Sequence, residues 1–228
     1  MIKVNDFKRI HEYIEKYKIN DMFSIDMREY MSLYMFARNE YICKEEEVLN
    51  KMFFVVDGKA KVYKNLENGK SLLLSFYNPF TVVGDIEFLD NNSADCNVQV
   101  IKDTYCIVIE FSIIKDKLMD DCKFLRNRCK YLGEKLRCNS KNSSINLLYP
   151  LENRLASYIL AFVNGDSNLC FTFEGGYNET AELLGTSYRH LNRTLNEFCS
   201  EGIIKKDDKS YIVNDINKLK YLSGDLYR

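Results

Sequence analysis

Residues 177–195 read YNETAELLGTSYRHLNRTL, and this stretch predicts two short helices joined by a tight turn. Gly185 can take the positive φ that such a turn requires, and Ser187 is a typical N-cap for the helix that follows. A helix-turn-helix is therefore predicted, with its second helix placed to enter the major groove of DNA. The apolar residues that can face inward at helical spacing are Ala181, Leu184, Leu191 and Leu195.

The exposed face of the second helix is the candidate surface for reading DNA bases. Tyr188, Arg189 and Arg193 lie on that face at helical spacing. Ser187 and Tyr177 are candidates for contact with the DNA backbone. Two alternatives remain open: the segment is an ordinary helical hairpin with solvated arginines, or Tyr177 only packs at the start of the first helix.

A second local pattern supports DNA binding. Residues 201–213 predict a two-stranded hairpin with a polar tip directly after the second helix, as in a wing. Lys205, Lys206 and Lys209 lie near this tip and are the predicted contacts to backbone phosphates.

Composition neither supports nor excludes nucleic-acid binding. The chain has 228 residues, is 46% hydrophobic and carries a net charge of -1. From Leu147 to Arg228 nine Lys and Arg residues face eleven Asp and Glu residues, so the DNA hypothesis depends on local placement. The sequence has no apolar run long enough for a membrane helix and no signal-peptide pattern, so a cytoplasmic protein that does not enter the membrane is expected.

The cysteines show no metal-binding pattern. The eight cysteines form no C-x-x-C pair, and the two histidines, His11 and His190, are far apart in sequence. No metal site and no cofactor are therefore predicted. Reduced thiols are expected, most of them buried as small core residues.

The first half of the chain predicts a β domain. An amphipathic helix with Phe7 and Ile14 on its apolar face precedes short β-rich runs at regular spacing. Asp57-Gly58 and Asn68-Gly69 fit tight hairpin turns. Asn78-Pro79 and Gly84-Asp85 interrupt strands. The predicted runs are Tyr34–Arg38, Tyr41–Lys44, Met52–Val56, Lys59–Lys64, Ser71–Tyr77, Val98–Lys102 and Tyr105–Glu110.

A heptad pattern lies between the two halves. Apolar residues recur there at alternating steps of four and three, with leucine at d, which is typical of a parallel two-stranded coiled coil. The alternative is a single amphipathic helix that packs on its own domain. The predicted dimer seam is Leu118, Cys122, Leu125, Cys129, Leu132 and Leu136.

In this order, the pieces resemble the Crp/Fnr family of bacterial transcription regulators. The resemblance covers nearly the whole chain and is carried by VDGKAKVY at 56–63, VGDIEF at 83–88, LENRLA at 151–156, and LGTS at 184–187 with Arg193. It implies an α+β fold: an N-terminal β-roll, or double-stranded β-helix, over 1–116, a dimerisation helix over 117–147 and a winged helix-turn-helix over 148–228. The implied partners are double-stranded DNA, a second copy of the chain and RNA polymerase.

The chain departs from the family where cyclic nucleotides bind. Members that bind them carry Gly-Glu and, about ten residues later, an Arg that contacts the cyclic phosphate. This chain has Gly84-Asp85, and Ala94-Asp95 at the Arg-Ser place, so cyclic AMP and cyclic GMP are disfavoured. Three alternatives stay open: an unidentified ligand, a thiol signal or no ligand. The candidate effector residues are Gly84, Asp85, Glu87, Asp95 and Asn97.

The base-reading positions also depart from the family. Members usually present Arg-Glu where this chain has Tyr188-Arg189, whereas Arg193 matches. Because Arg pairs with guanine and Glu with cytosine, a different DNA half-site is expected.

These patterns favour a homodimeric regulator that binds an inverted-repeat operator and is not an enzyme. The first alternative is a β-roll ligand-binding protein without DNA-binding activity. A cupin-type enzyme is disfavoured because no histidine lies between Met31 and Glu110. The third hypothesis is an interaction protein that does not need DNA.

Overall fold

The computed structural model gives the chain an α+β fold in two compact units. The first unit comprises residues 1–62 and 76–137, and the second comprises 63–75 and 138–228. The residues that the structure describes are 1–67, 69, 71–90, 93–163, 169–173 and 176–224.

A seven-stranded sheet forms the N-terminal half of the fold. Every strand pair whose register is described in it is antiparallel, which confirms the predicted β domain. The elements in chain order are β1 (Ile2–Val4), α1 (Phe7–Tyr17), 3-10 turns at Asn20–Met22 and Arg28–Tyr30, β2 (Ser32–Phe36), β3 (Tyr41–Cys43), β4 (Lys51–Asn65), β5 (Ser71–Tyr77), β6 (Thr81–Val83), α2 (Glu87–Asp90), β7 (Asn97–Glu110) and α3 (Phe111–Lys117).

Strand β7 lies at the centre of this sheet. The path of neighbouring strands is β1-β2-β7-β4-β5, with β3 paired to β7 and β6 paired to β4. Side chains on these strands alternate between the sheet's two faces, and the inward ones form an apolar core. Phe36, Val55, Val100 and Ile107 are each at most 1% exposed.

Two predicted breaks between strands of this sheet are absent. The runs Met52–Val56 and Lys59–Lys64 form one continuous strand, β4, and the runs Val98–Lys102 and Tyr105–Glu110 form one strand, β7. Asp57-Gly58 is therefore not a hairpin turn. Gly58 has φ +93° because the backbone of β4 passes very close to β7 at this point.

The other predicted turns lie between strands. Gly69, with φ +78°, lies between β4 and β5, whereas Asn68 is outside the described residues. Asn78-Pro79 separates β5 from β6, and Gly84 follows β6. The three-residue strands β1 and β6 were not predicted.

Helix α1 matches the predicted amphipathic helix except at its first residue. Asp6 caps the helix by accepting a hydrogen bond from the Arg9 amide at 3.0 Å. Ile14 is buried, but Phe7 is 87% exposed, so Phe7 does not belong to the inward face.

The long helix α4 (Cys122–Leu148) begins later than the predicted start at residue 117. The carboxylate of Asp121 fixes this start, accepting hydrogen bonds from the amides of Lys123 at 2.9 Å and Phe124 at 3.2 Å. Burial acts to raise the pKa of Asp121, but its hydrogen bonds from Ser24 and from the helix outweigh this and hold that pKa below its usual value.

Leu118 does not belong to the predicted seam. It lies at the end of α3, before α4 begins, and its side chain is fully buried within its own unit. A residue with no exposed surface in one chain cannot contact a second chain, so the seam stripe on α4 begins at Cys122.

Helix α4 has two different faces. Phe124 and Arg128 are buried, and the Arg128 guanidinium lies over the rings of Phe54, Phe124 and Tyr131 at 5.4–5.7 Å. The predicted seam stripe faces another way. Cys122 and Cys129 are exposed and Leu136 is 71% exposed, whereas Leu125 and Leu132 are half-buried.

Among the described residues, the part of the second unit from Cys138 onward contains helices and a small antiparallel sheet of order β8-β10-β9. Leu155, Leu184, Leu191 and Leu219 are fully buried in its core. The elements after α4 are α5 (Leu151–Val163), β8 (Cys170–Phe171), α6 (Gly176–Leu183), α7 (Tyr188–Ser200), β9 (Ile204–Asp207), β10 (Ser210–Val213) and α8 (Ile216–Ser223).

The cysteines are less buried than predicted. Only Cys43 and Cys106 of the eight are buried, and Cys122, Cys129 and Cys170 are exposed. All eight are free thiols. Among the helices described, none combines the length and apolar character needed to cross a bilayer.

The close approach at Gly58 gives a testable prediction. A Cβ at this position would meet the carbonyl oxygen of Asp103 and lie 2.5 Å from the Cα of Thr104. We expect Gly58→Ala to lower the free energy of unfolding by about 3 kcal/mol, through backbone clash and an unfavourable φ. Urea titration followed by circular dichroism measures the loss.

Gly69→Ala is the matched control because Gly69 also has positive φ but a Cβ there has no atom within 4 Å. This control should lose only about 1 kcal/mol, the cost of the left-handed conformation itself. Equal losses at the two positions would contradict the close approach of β4 and β7.

Candidate nucleic-acid interface and effector region

The turn between α6 and α7 has the predicted geometry. Gly185 has φ +61°, and the Thr186 amide donates to the Ala181 carbonyl at 2.8 Å, which closes the end of α6. Ser187 caps α7 by accepting a hydrogen bond from the His190 amide at 3.2 Å. The prediction of a helix-turn-helix at 177–195 is confirmed.

Apolar side chains lock these two helices together. Ala181, Leu184, Leu191 and Leu195 are each at most 2% exposed. Arg154 on α5 adds a polar contact by donating a hydrogen bond to the carbonyl of Leu184. This contact was not predicted from the sequence, because it joins residues thirty positions apart.

The outward face of α7 carries the three predicted base-reading residues. Tyr188 is 48% exposed, and Arg189 and Arg193 are also exposed. Arg193 makes only a loose pair with Glu197 of its own helix, 3.8 Å from Nε to Oε1, with both side chains largely in solvent. Because such surface ion pairs contribute little to stability, Arg193 can exchange this partner for a DNA base.

The predicted wing is present directly after α7. Strands β9 and β10 pair antiparallel, with Asp207 opposite Ser210, and Asp208 takes a positive φ of 50° in the turn. The side chains of Lys205, Lys206 and Lys209 are exposed. Strand β8 pairs with the other edge of β10 and was not predicted, because two residues are too few for a periodic signal.

The two candidate backbone contacts differ in their surroundings. Ser187 is exposed and already caps α7. Tyr177 packs edge-on against the ring of Tyr188, and its hydroxyl lies 3.0 Å from the hydroxyl of Tyr211 on β10. Tyr177 therefore does pack at the start of α6, and a phosphate contact by either residue stays a prediction.

An ion pair occupies the candidate effector region of the β domain. Lys135 of α4 donates to both carboxylate oxygens of Asp85, at 2.9 and 3.0 Å, and Asp85 is only 3% exposed. The Lys135 ammonium also lies 5.4 Å from the centre of the Tyr77 ring. Burial acts to lower the pKa of Lys135, but Tyr77 and Asp85 outweigh it and raise that pKa well above its usual value.

The other four candidate effector residues differ in their surroundings. Gly84 has φ +83°, and a Cβ there would lie 2.6 Å from the Lys51 carbonyl. Asn97 is buried and bonds to Glu45 through both its amide oxygen and its amide nitrogen. Asp95 is exposed. Glu87 accepts a hydrogen bond from the Ile86 amide at 3.2 Å.

Ala94, which stands where the resemblance predicts an Arg in proteins that bind cyclic nucleotides, makes two backbone hydrogen bonds. Its amide donates to Glu47 and its carbonyl accepts from Glu46, at 3.0 and 2.8 Å. Nearby, burial raises the pKa of the Cys96 thiol to about 11, and burial also raises the pKa of Cys43. These two thiols are therefore protonated at neutral pH, which disfavours them as reactive thiolates.

Comparison with known families agrees with this two-part organisation. Residues 35–121 match the cyclic nucleotide-binding domain, and residues 153–222 match the Crp-like helix-turn-helix domain. The first match covers most of the β domain, and the second covers α6, α7 and the wing. A protein with these two domains is a DNA-binding transcription regulator.

The chain belongs to the Crp/Fnr family of transcription regulators. It is 30% identical to the regulatory protein YeiL of Escherichia coli O157:H7, over 89% of this chain and 90% of that protein. It is 21% identical to a CRP-like cAMP-activated global transcriptional regulator of Mycobacterium tuberculosis, over 81% and 84%. A solved Crp/Fnr-family structure from Eubacterium rectale shares the fold, with TM-score 0.73, 14% identity and 96% coverage of both chains.

The buried ion pair gives the second prediction. We expect Lys135→Met to lower the free energy of unfolding by about 3 kcal/mol, because it leaves the Asp85 carboxylate buried without a cation. Changing both partners, Lys135→Met with Asp85→Leu, should restore stability to within about 1 kcal/mol of wild type. Chemical denaturation of the three proteins measures these differences.

Lys130→Met is the matched control because Lys130 is an exposed lysine of the same helix. It should leave the free energy of unfolding nearly unchanged. A double variant as unstable as Lys135→Met would show that the ion pair is not the source of the effect.

Proposed function

We propose that this protein is a homodimeric transcription regulator that binds an inverted-repeat operator through Tyr188, Arg189 and Arg193. The observation that carries the proposal is the exposed face of α7, where these three residues lie on a helix that is capped by Ser187 and packed against α6 through buried leucines. Arg can bind guanine O6 and N7 with two hydrogen bonds, and this gives sequence preference. Lys205, Lys206 and Lys209 add affinity without sequence information, by contact with phosphates.

The exposed stripe of α4 supports the dimer. Cys122, Leu125, Cys129, Leu132 and Leu136 follow the a and d positions of a heptad and are exposed or half-buried in one chain. A second copy packed in parallel would remove this apolar surface from water by knobs-into-holes contact. Two-fold symmetry in the protein then requires an operator with matching symmetry.

The roll is proposed not to respond to cyclic nucleotides. The Arg that would neutralise a cyclic phosphate is replaced by Ala94, whose backbone is engaged, and Asp95 adds negative charge nearby. The ammonium of Lys135 is already paired with Asp85. A bound phosphate would therefore lack a charge-assisted partner and would meet a like charge.

The remaining expectations follow from the family resemblance. Contact with RNA polymerase, a cytoplasmic location, an unidentified small-molecule effector and the domain limits 1–116, 117–147 and 148–228 stay predictions. A non-enzymatic role is proposed on the same basis. Among the residues that the structure describes, no three His, Cys, Asp or Glu side chains gather to hold a metal ion.

The reading face of α7 gives the third prediction. Arg189→Ala and Arg193→Ala should each weaken binding to the selected operator by about 1–3 kcal/mol and relax preference at one base pair. Lys206→Ala should weaken binding to all sequences about equally and reduce the salt dependence. Fluorescence anisotropy with cognate and scrambled duplexes distinguishes the two effects. Wild-type affinity in both arginine variants would place the reading face elsewhere.

The dimer gives the fourth prediction. Leu125→Asp with Leu132→Asp should produce monomers that no longer bind the inverted repeat, because the seam would bury unpaired charge. Analytical ultracentrifugation measures the mass. Lys130→Asp with Arg137→Asp is the control, since both residues are exposed on the same helix outside the stripe. A folded dimer of the leucine double variant would overturn the proposed seam.

The effector region gives the fifth prediction. Calorimetric titration with cyclic AMP and cyclic GMP should show no saturable binding below millimolar concentration. A phosphate in the roll would forgo a charge-assisted hydrogen bond, typically about 1.5–3 kcal/mol. A micromolar dissociation constant for either nucleotide would show that the roll recognises phosphate by another route.

A further inference from the structure

Two tyrosine hydroxyls meet inside the winged helix-turn-helix. Tyr177 lies in the first turn of α6 and Tyr211 lies on β10, and their oxygens are 3.0 Å apart. Tyr211 is only 4% exposed, whereas Tyr177 is half-buried. Two hydroxyl hydrogens are present, but only one can lie between the two oxygens. The other hydrogen needs a different acceptor.

Burial decides which tyrosine donates. If Tyr177 donated, the hydrogen of Tyr211 would be left in the interior, where the described residues offer its hydroxyl no second hydrogen bond. Buried hydroxyls are almost always hydrogen-bonded, so Tyr211 donates and Tyr177 accepts. Burial first, and then the hydrogen bond to Tyr177, raises the pKa of Tyr211, which agrees with Tyr211 as the donor.

Aromatic contacts hold this pair in place. The ring of Tyr211 stacks on Phe171 of β8 at 5.4 Å, and the ring of Tyr177 packs against Phe173 at 5.4 Å. On its other side Tyr177 meets the ring of Tyr188 at 90°, with centroids 6.3 Å apart. Tyr177 is thus fixed between the wing sheet and the first residue of α7, with its own hydroxyl hydrogen left for an acceptor outside the protein.

We propose that Tyr211 is a positioning residue for DNA binding: it donates to Tyr177, which in turn donates to an unesterified oxygen of a backbone phosphate. This inference rests on the proposed use of α7 as the recognition helix. In a helix-turn-helix the first helix crosses the DNA backbone, so the acceptor beside α6 is a phosphate and not a base. A hydroxyl that already accepts a hydrogen bond is also a stronger donor, and an anionic oxygen is the acceptor that benefits most.

Four variants test this relay, from Tyr211 through Tyr177 to the phosphate, on an operator selected from random sequence. Tyr177→Phe should weaken binding roughly tenfold per half-site. Tyr211→Phe should weaken it about twofold, because only the polarisation and orientation of Tyr177 are lost. The double variant should bind like Tyr177→Phe alone, since Tyr211 acts only through Tyr177. Tyr177→Gln, whose amide can still donate, should recover part of the affinity.

Two readouts separate the relay from a general loss of structure. The slope of affinity against salt should stay at its wild-type value in the tyrosine variants, because a neutral hydroxyl releases no counterion, whereas Lys206→Ala lowers that slope. Operator DNA with one methylphosphonate at a time removes one anionic oxygen. One such position per half-site should weaken the wild-type protein and leave Tyr177→Phe unaffected.

Several results would overturn the relay. The first is wild-type affinity of Tyr177→Phe. The second is additive losses in the double variant, and the third is a Tyr177→Phe protein that is as sensitive as wild type at every methylphosphonate position. The arginine variants distinguish this failure from failure of the proposed function. If Arg189→Ala and Arg193→Ala lose affinity and Tyr177→Phe does not, only the relay is wrong; if the arginine variants bind normally, the reading face itself is wrong.

Discussion

Asp121 fixes the phase of the helix on which the proposed assembly depends. Its carboxylate accepts four hydrogen bonds, two from Ser24 and two from the first turn of α4. Once the start of the helix is set, the 3.6-residue period determines which residues turn inward. Phe124 and Arg128 then face the β domain, and Cys129 and Leu136 remain exposed for a second chain.

The same helix carries the cation that occupies the candidate effector region. Lys135 lies on the inward side of α4 and pairs with Asp85 just after β6. A single helix therefore carries both the proposed dimer surface and the ammonium group that holds Asp85. Because leaving one partner of a buried ion pair without its counter-charge is costly, a ligand that separated Lys135 from Asp85 would have to supply a compensating charge.

The sequence predicted local features well. The turn of the helix-turn-helix, the cap at Ser187 and the wing each depend on a few adjacent residues whose conformational preferences are strong. The inward leucines of α6 and α7 followed from helical spacing alone. The overall family assignment was also within reach, because several such motifs occurred in the right order.

The errors came from interactions between residues distant in sequence. Gly58 resembles a turn residue, but it lies within β4, where a residue without a Cβ lets the strand pass close to β7. Leu118 fits the heptad spacing, but it lies outside α4, because Asp121 caps the start of that helix three residues later. The Tyr177–Tyr211 contact joins residues on two elements, and no spacing rule indicates it.

The measurement that tests the central claim most directly is selection of DNA from a random-sequence pool by the purified full-length protein. We expect enrichment of an inverted repeat whose half-site centres lie about 10 base pairs, or a multiple of that, apart. The half-site should lose its preference at one base pair in Arg189→Ala and at another in Arg193→Ala. Recovery of no enriched sequence, or of a single unrepeated site, would contradict a dimer that reads DNA through α7.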